Sequence, residues 1–252
     1  MFIITTRFIH FYLILFHYHL KWFLKPHKEV TKEIKSDAKE RKRDMNNINL
    51  EKKAPKKPFL YRSAKLIRAL TVPPIMVTAL LLILLFAGNV FPATVDFVLS
   101  LIFLAIVPVL AYVAQKLLPG WKDGGQKAQR KLAFVFSFLG YTAAVVVSIV
   151  RDAIPNLLYI SLVYLVSVVI LTLFNCLSPW HASGHGCSLM GPILLSCLFV
   201  GWYAIPAGVV IYCASLWASV YMKRHTVREF FLGSLSAVLS ALICYVIVHP
   251  IF

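Results

Sequence analysis

Two histidines lie in polar stretches between long apolar runs of the chain, and both have neighbours that suit acid–base or nucleophilic chemistry. Glu229 follows His225 by four residues, a spacing that places the two side chains on one face of a helix. A carboxylate there fixes the tautomer of the ring and raises the basicity of the other nitrogen, which prepares a nucleophile or base. An interfacial histidine beside an incidental carboxylate would have the same spacing.

The second histidine, His185, belongs to the polar segment Trp180–Cys187, which we predict to be a loop. Gly184 and Gly186 would allow backbone conformations that turn N–H groups toward an anion, and Ser183 would add a hydroxyl donor. A simple turn with a solvated histidine is the plainer interpretation. Polar clusters are costly in a membrane protein, however, and by default indicate a functional site.

Basic side chains near these histidines could bind the oxygens of a phosphoryl group. Cations at the ends of membrane spans also act as topology anchors, so most of them need no other role. The candidates for phosphate binding are Arg130, Lys127 and Arg224. The same loops hold Lys122, Lys131, Lys223 and Arg228.

The composition indicates an all-α, polytopic membrane helical bundle. The 252 residues are 60% hydrophobic and 14% charged, with a mean hydropathy of +0.77. Several apolar runs reach the roughly 20 residues that a membrane-spanning helix needs. The formal net charge is +16, but the basic residues flank apolar runs, which favours anionic lipid headgroups over nucleic acid as their partners.

We predict about six to seven core transmembrane helices and a possible extra N-terminal helix. The approximate spans are 69–88, 93–117, 132–150, 156–176, 187–202, 204–222 and 228–249. An even number of crossings separates the loops at 115–131, 178–186 and 222–229, so these loops should meet on one side of the membrane. These loops carry most of the basic residues between the predicted spans, which predicts that the loops face the cytoplasm.

The opposite turns hold one cation, Arg151, which we expect Asp152 to balance. The expected location of the protein is the plasma membrane of a bacterium, as a multi-pass protein. The oligomeric state is left open.

Three segments of different composition divide the chain. Residues 1–24 are apolar and aromatic, and we interpret them as a possible extra N-terminal helix. Alternatively, Met45 is the natural start, and residues 1–44 result from the choice of an upstream start site. Residues 25–68 form a basic cytoplasmic or juxtamembrane segment. Residues 69–252 form the membrane domain.

The cysteines favour neither a disulfide framework nor a zinc site, because their number is odd and no Cys-x-x-Cys pair occurs. We interpret them as small packing residues within helices. We expect no metal and no other cofactor. The five cysteines are Cys176, Cys187, Cys197, Cys213 and Cys244.

The two histidine segments resemble motifs of the type 2 phosphatidic acid phosphatase superfamily. The family's second motif is Pro-Ser-Gly-His, and this chain has Ala-Ser-Gly-His at 182–185. The third motif is Ser-Arg, five residues, His, three residues and Asp, usually with a glycine soon after. His225, Glu229 and Gly233 follow this order, and the resemblance covers roughly residues 113–245.

The resemblance implies a metal-independent hydrolase that works through a phosphohistidine. His225 would be the nucleophile, His185 the general acid that protonates the leaving oxygen, and Glu229 would replace the orienting aspartate. The implied substrate is a lipid phosphate, either phosphatidate-like or a polyprenyl phosphate or diphosphate, with its tail in the bilayer.

The chain also departs from the family's motifs at several positions. Ala182 replaces the proline of the second motif, and Ser219 stands where the third motif has arginine. In the first motif, Lys followed after six residues by Arg-Pro, Arg130 follows Asp123 at the expected interval and precedes Lys131. The missing cation could come from Lys223, Arg224 or Arg228.

These departures keep an alternative open, a non-catalytic protein of the same fold that binds anionic lipid or a partner protein. A transporter would predict inverted repeats, of which none is evident in the sequence. The enzyme remains the first hypothesis because both histidines and the carboxylate keep the order and spacing of the family.

Overall fold

The computed structural model describes residues 59–87, 90–118, 121, 125–177 and 181–248, without the side chains of Gln126, Lys127 and Leu177. The predictions for residues 1–58 lie outside this part of the chain. The described elements are all helices, which confirms the predicted all-α class. In chain order they are α1 Phe59–Leu70, α2 Pro73–Ala87, α3 Thr94–Leu117, α4 Gly125–Val150, α5 Pro155–Leu177, α6 Gly184–Val200, α7 Ala204–Tyr221 and α8 Val227–Val248.

The lengths and composition of these helices indicate a multi-pass integral membrane protein. Helices α3, α4, α5, α7 and α8 are each long and apolar enough to cross a membrane. The bent pair of α1 and α2 makes a sixth candidate span, whereas α6, with 17 residues, is a shorter apolar helix. From α3 onward, the helix bounds agree with the predicted spans to within three residues, except that α4 begins at Gly125 instead of near residue 132.

The predicted first span, 69–88, is instead a broken pair in which α1 and α2 meet at an angle of 56°. The break falls at Thr71 and Val72, immediately before Pro73. Proline disfavours a helical conformation in the residue before it but is well accepted in the first turn of a helix. As a result, α1 ends at the break, and its residues Phe59–Leu70 are helical although most of them precede the predicted span.

Helix α6 lies at the centre of the bundle, where it packs against α2, α5, α7 and α8. Two glycines bring its first turn close to α8. A Cβ on Gly186 would collide with the backbone carbonyl of Phe230, and one on Gly233 would collide with that of Ser183. Small residues allow this close approach between membrane helices, and here they join the segments that carry the two histidines.

The opposite end of the bundle holds a different ion pair from the one we expected. Arg151 donates from Nε to Oδ1 of Asp96 at 2.8 Å, across the ends of α4 and α3. Asp152 instead occupies the turn after α4 with a positive φ of 47°. Arg151 is therefore balanced by Asp96, because α3 begins at the same end of the bundle at which α4 finishes.

Candidate functional site

Both histidines lie at the same end of the bundle, as the count of membrane crossings predicts. His185 is in the first turn of α6, not in a loop as we expected, and His225 is in the turn between α7 and α8. The two are close enough for their charges to interact. The ring of His185 also packs edge-on against Phe230, with centroids 6.2 Å apart, and Phe230 directly follows Glu229.

The predicted pairing of His225 with Glu229 is present. Nδ1 of His225 lies 3.2 Å from Oε2 of Glu229, which leaves Nε2 as the ring nitrogen outside this contact. Burial lowers the pKa of His225 from 6.5, and the hydrogen bond and charge of Glu229 partly oppose that shift. The lowered pKa favours the neutral imidazole, which keeps a lone pair for nucleophilic attack.

Glu229 also has a structural role at the start of α8. Its Oε2 accepts a hydrogen bond from the backbone N–H of Thr226 at 3.2 Å, and its own N–H donates to the hydroxyl of Thr226 at 3.2 Å. These reciprocal bonds form a capping box, for which Thr-x-x-Glu is the sequence signature. We did not predict this cap from the sequence, and it gives a second reason for a glutamate here.

A tight turn after α7 directs the chain toward His225. Lys223 has a positive φ of 52°, and its N–H donates to the carbonyl of Val220 at 2.9 Å. The N–H of Arg224 donates to the carbonyl of Ser219 at 3.0 Å. This pair of bonds is the Schellman arrangement that closes a helix C-terminus. Lys223 therefore shapes the turn through its backbone.

Nε2 of His185 is surrounded by hydroxyl groups from two other helical segments. It lies 3.0 Å from Oγ of Ser215 and 3.2 Å from Oγ1 of Thr71. Thr71 uses its single hydroxyl proton to donate to the carbonyl of Ile67 at 2.8 Å. Toward His185 it therefore acts as an acceptor, which assigns a proton to Nε2.

The predicted phosphate-binding serine has a positional role in the structure. Ser183 is 1% exposed, and its Oγ accepts the N–H of Gly186 at 3.2 Å as the N-cap of α6. Its own N–H donates to the carbonyl of Glu229 at 2.8 Å. In this arrangement the side chain of Ser183 is buried and caps the helix, and the expectation that it offers a hydroxyl to a ligand stays a prediction.

The glycines beside His185 also differ from our expectation. Gly184 and Gly186 are both helical, and neither has the positive φ that would aim N–H groups outward as in a nest. Gly186 is instead required for the close approach of α6 to α8 described above. Gly184 contributes its backbone at the N-terminus of α6.

Arg68 is the site residue that sequence reasoning did not select. Its Nη1 donates to Oγ of Ser219 at 3.2 Å, and Ser219 is the position at which the resemblance expects an arginine. The charge of Arg68 acts on both His185 and His225. No local pattern marked it, because it is one of many cations in a basic segment and lies 151 residues before its partner.

The structure describes the side chains of two of the three cations predicted to bind phosphate. Arg130 and Arg224 are exposed, and both lie close enough to repel the charge of Arg68. Arg130 also acts on His225. The side chain of Lys127 lies outside the described part of the structure.

The described residues contain no group of three or more His, Cys, Asp or Glu side chains that could hold a metal ion. All five cysteines are free thiols. The residues gathered at the site are imidazoles, hydroxyls, guanidinium groups and one carboxylate. Such a set suits acid–base and nucleophilic chemistry on an anionic substrate.

Comparison with protein-family models, with curated proteins and with solved structures finds no match to this chain. The likeness to the phosphatidic acid phosphatase superfamily thus depends on the residues and spacings given above. The function is argued below from the arrangement of these residues.

Proposed function

We propose that the protein is an integral membrane lipid phosphate phosphatase that works through a phosphohistidine on His225. The observation that carries this proposal is the pairing of His225 with Glu229 beside a second histidine. Glu229 holds Nδ1 of His225 at 3.2 Å, and His185 lies within electrostatic reach. A nucleophile oriented by a carboxylate, with an acid nearby, is the constellation that covalent catalysis requires.

The proposed reaction has two steps. Nε2 of His225 attacks phosphorus, the bond from phosphorus to the lipid oxygen breaks, and that oxygen takes a proton from Nε2 of His185. The bound phosphate anion favours the imidazolium form of His185 that donates this proton. Water then attacks the phosphohistidine and gives a proton back to His185, while inorganic phosphate leaves and His225 is regenerated.

The position of the site favours a lipid substrate. The histidines lie at one end of an apolar helical bundle, where a phosphate headgroup could enter while its hydrocarbon tail stays in the bilayer. Phosphatidate-like lipids and polyprenyl phosphates or diphosphates both fit this description. The proposal includes a cytoplasmic site in the plasma membrane of a bacterium, which stays a prediction from charge bias and composition.

Phosphate release by purified full-length protein tests the proposed function. We expect release from phosphatidate or a polyprenyl phosphate in the presence of a chelator. His225→Ala and His185→Ala should each lower turnover by about 10²-fold or more, because the first removes the proposed nucleophile and the second a general acid, which contributes at least that much. His181→Ala is the matched control, since His181 is exposed and lies just before α6.

Full turnover in both variants would contradict the assignment of the histidines. Loss of turnover in His181→Ala as well would show that the loop, rather than the two imidazoles, matters. The melting temperature of each variant, compared with that of the wild type, separates loss of chemistry from loss of folding.

A non-catalytic protein that binds anionic lipid is the second candidate. One observation favours it: Nε2 of His185, the proposed proton donor, already contacts the hydroxyls of Thr71 and Ser215. Such a protein would bind vesicles that contain phosphatidate without releasing phosphate. Binding without turnover over a range of lipid phosphates would favour this candidate over the enzyme.

A further inference from the structure

The guanidinium group of Arg68 is hydrogen-bonded to Ser219, the position at which the resemblance expects an arginine. Arg68 is on α1, whereas Ser219 is on α7, and α1 packs against α7. The bond from Nη1 of Arg68 to Oγ of Ser219, at 3.2 Å, fixes the end of the Arg68 side chain over the last turns of α7. Ser219 itself is 0% exposed, so the cation lies over a buried hydroxyl.

The break between α1 and α2 ties this cation to the catalytic histidine. Thr71 is three residues after Arg68, and its hydroxyl is 3.2 Å from Nε2 of His185. The C-terminal end of α1 and the break after it thus supply both a cation and a contact to His185. The charge of Arg68 also acts on His225, so Arg68 is a common neighbour of the two imidazoles.

The charges near Arg68 are not balanced by the described carboxylates. Arg130 and Arg224 both repel Arg68, and none of the three forms an ion pair with a carboxylate in the part of the chain that the structure describes. The nearby acid, Glu229, is already bonded to His225 and Thr226. Three guanidinium groups so arranged attract an anion, because bringing them together without a counter-charge costs free energy.

We propose that Arg68 binds the oxygens of the phosphoryl group and replaces, from a different helix, the arginine absent at position 219. A guanidinium group has five N–H donors in a planar fork that matches phosphate oxygens. The bond to Ser219 uses one donor and leaves others for the ligand. Ser219 is then a positioning residue for Arg68.

The inference rests on the proposed function for its catalytic consequence, since Arg68 would stabilise charge on the phosphoryl oxygens during transfer. Anion binding by Arg68 does not depend on turnover. Anion binding by Arg68 and the proposed phosphatase function can therefore be contradicted by different experiments.

Binding of inorganic phosphate to the purified full-length protein tests the role of Arg68. A ligand that binds only the folded state raises the melting temperature, and the dependence on phosphate concentration gives Kd. Arg68→Gln should raise Kd about 10- to 100-fold, the range expected for losing a hydrogen bond to a charged group. Arg68→Lys keeps the charge but loses the fork, and its Kd should lie between the two.

The matched control is Arg62→Gln, which removes an exposed arginine from the same helix. Its Kd should equal that of the wild type at the same ionic strength. An unchanged Kd in Arg68→Gln would overturn the inference. Should Arg68→Gln not fold, Arg68→Lys decides, because a Kd equal to that of the wild type would also overturn it.

Lipid phosphate turnover separates this inference from the proposed function. Wild-type protein that binds phosphate through Arg68 but releases none from lipids would contradict the proposed phosphatase function and support the anion site. Turnover and a phosphate Kd that are both unchanged in Arg68→Gln would support the proposed phosphatase function and contradict the role of Arg68.

Discussion

A single carboxylate oxygen of Glu229 contacts both the proposed nucleophile and the backbone at the start of α8. Its Oε2 meets both Nδ1 of His225 and the N–H of Thr226, each at 3.2 Å. One carboxylate thus orients the proposed nucleophile and caps the helix that follows. The resemblance expects an aspartate at this position, and the side chain of glutamate, longer by one methylene, allows both contacts in this turn.

The charge of Glu229 sets the pH range in which His225 is neutral. Burial lowers the pKa of His225 and Glu229 opposes the shift, so removing the charge should lower that pKa further. In Glu229→Gln, we therefore expect the acidic limb of the kcat/KM profile to move to lower pH, since this limb reports the essential base of the free enzyme. Glutamine can still cap the helix, so the melting temperature should change little.

Thr226→Ala provides the matched control for this experiment. It removes the hydroxyl that accepts the N–H of Glu229 and should cost about 1 kcal/mol of stability, the usual cost of losing an N-cap. The acidic limb should stay where it is, because the carboxylate remains beside His225. A limb that moves upward in Glu229→Gln would contradict the electrostatic account.

Local spacing predicted one contact of the site but not the others. The His225–Glu229 pair follows from helical periodicity over four residues, and the structure has it. The contacts of His185 with Thr71 and Ser215 join positions 114 and 30 residues apart. No sequence periodicity encodes such pairs, since they depend on how α1, α6 and α7 pack. Arg68 was overlooked for the same reason.

At the level of helices, the junction of α6 with α8 holds the site together. Gly186 lies against the backbone of Phe230, and Gly233 lies against that of Ser183. The N–H of Ser183 then reaches the carbonyl of Glu229 at 2.8 Å. A backbone hydrogen bond thus links the segment of His185 directly to the residue that orients His225.

A single methyl group at this junction should separate the helices. Gly186→Ala or Gly233→Ala would place a Cβ against a backbone carbonyl, and overpacking of this kind costs about 1–3 kcal/mol. We expect a lower melting temperature and a loss of phosphate release. The measurement is thermal unfolding of the purified variants together with lipid phosphatase activity.

Gly191→Ala, further along α6, is the control. Nothing lies within 4 Å of a Cβ at that position, so alanine should be neutral or should stabilise the helix by roughly 0.5–1 kcal/mol, the usual difference between the two residues. Equal destabilisation at positions 186 and 191 would show that α6 tolerates no substitution and would remove the argument for a specific junction.

At the scale of the whole bundle, the described residues at its two ends differ in charge. The site end carries Arg68, Arg130 and Arg224, whereas Arg151 at the opposite end is paired with Asp96 at 2.8 Å. The sequence predicted the helix ranges and the common end of the polar segments, because hydrophobic length and the parity of crossings determine both. The break before α2 was missed, since Pro73 was interpreted as part of a continuous span.

The charge difference predicts that the site faces the cytoplasm. His181 is exposed at the site end and Ala93 is exposed at the other end. In a background without the native cysteines, Ala93→Cys should react with a membrane-impermeant maleimide added outside intact cells. His181→Cys should react only after permeabilisation. The reverse pattern would place the site on the outer side.

The central claim is that His225 accepts a phosphoryl group while His185 protonates the leaving oxygen. Its most direct test is mass spectrometry of the protein after rapid quenching of a reaction with a labelled lipid phosphate. We predict phosphate on His225 in the wild type and slower formation of it in His185→Ala, because His185 protonates the leaving oxygen in that step. Turnover in the wild type with no phosphate on His225 in either protein would contradict it.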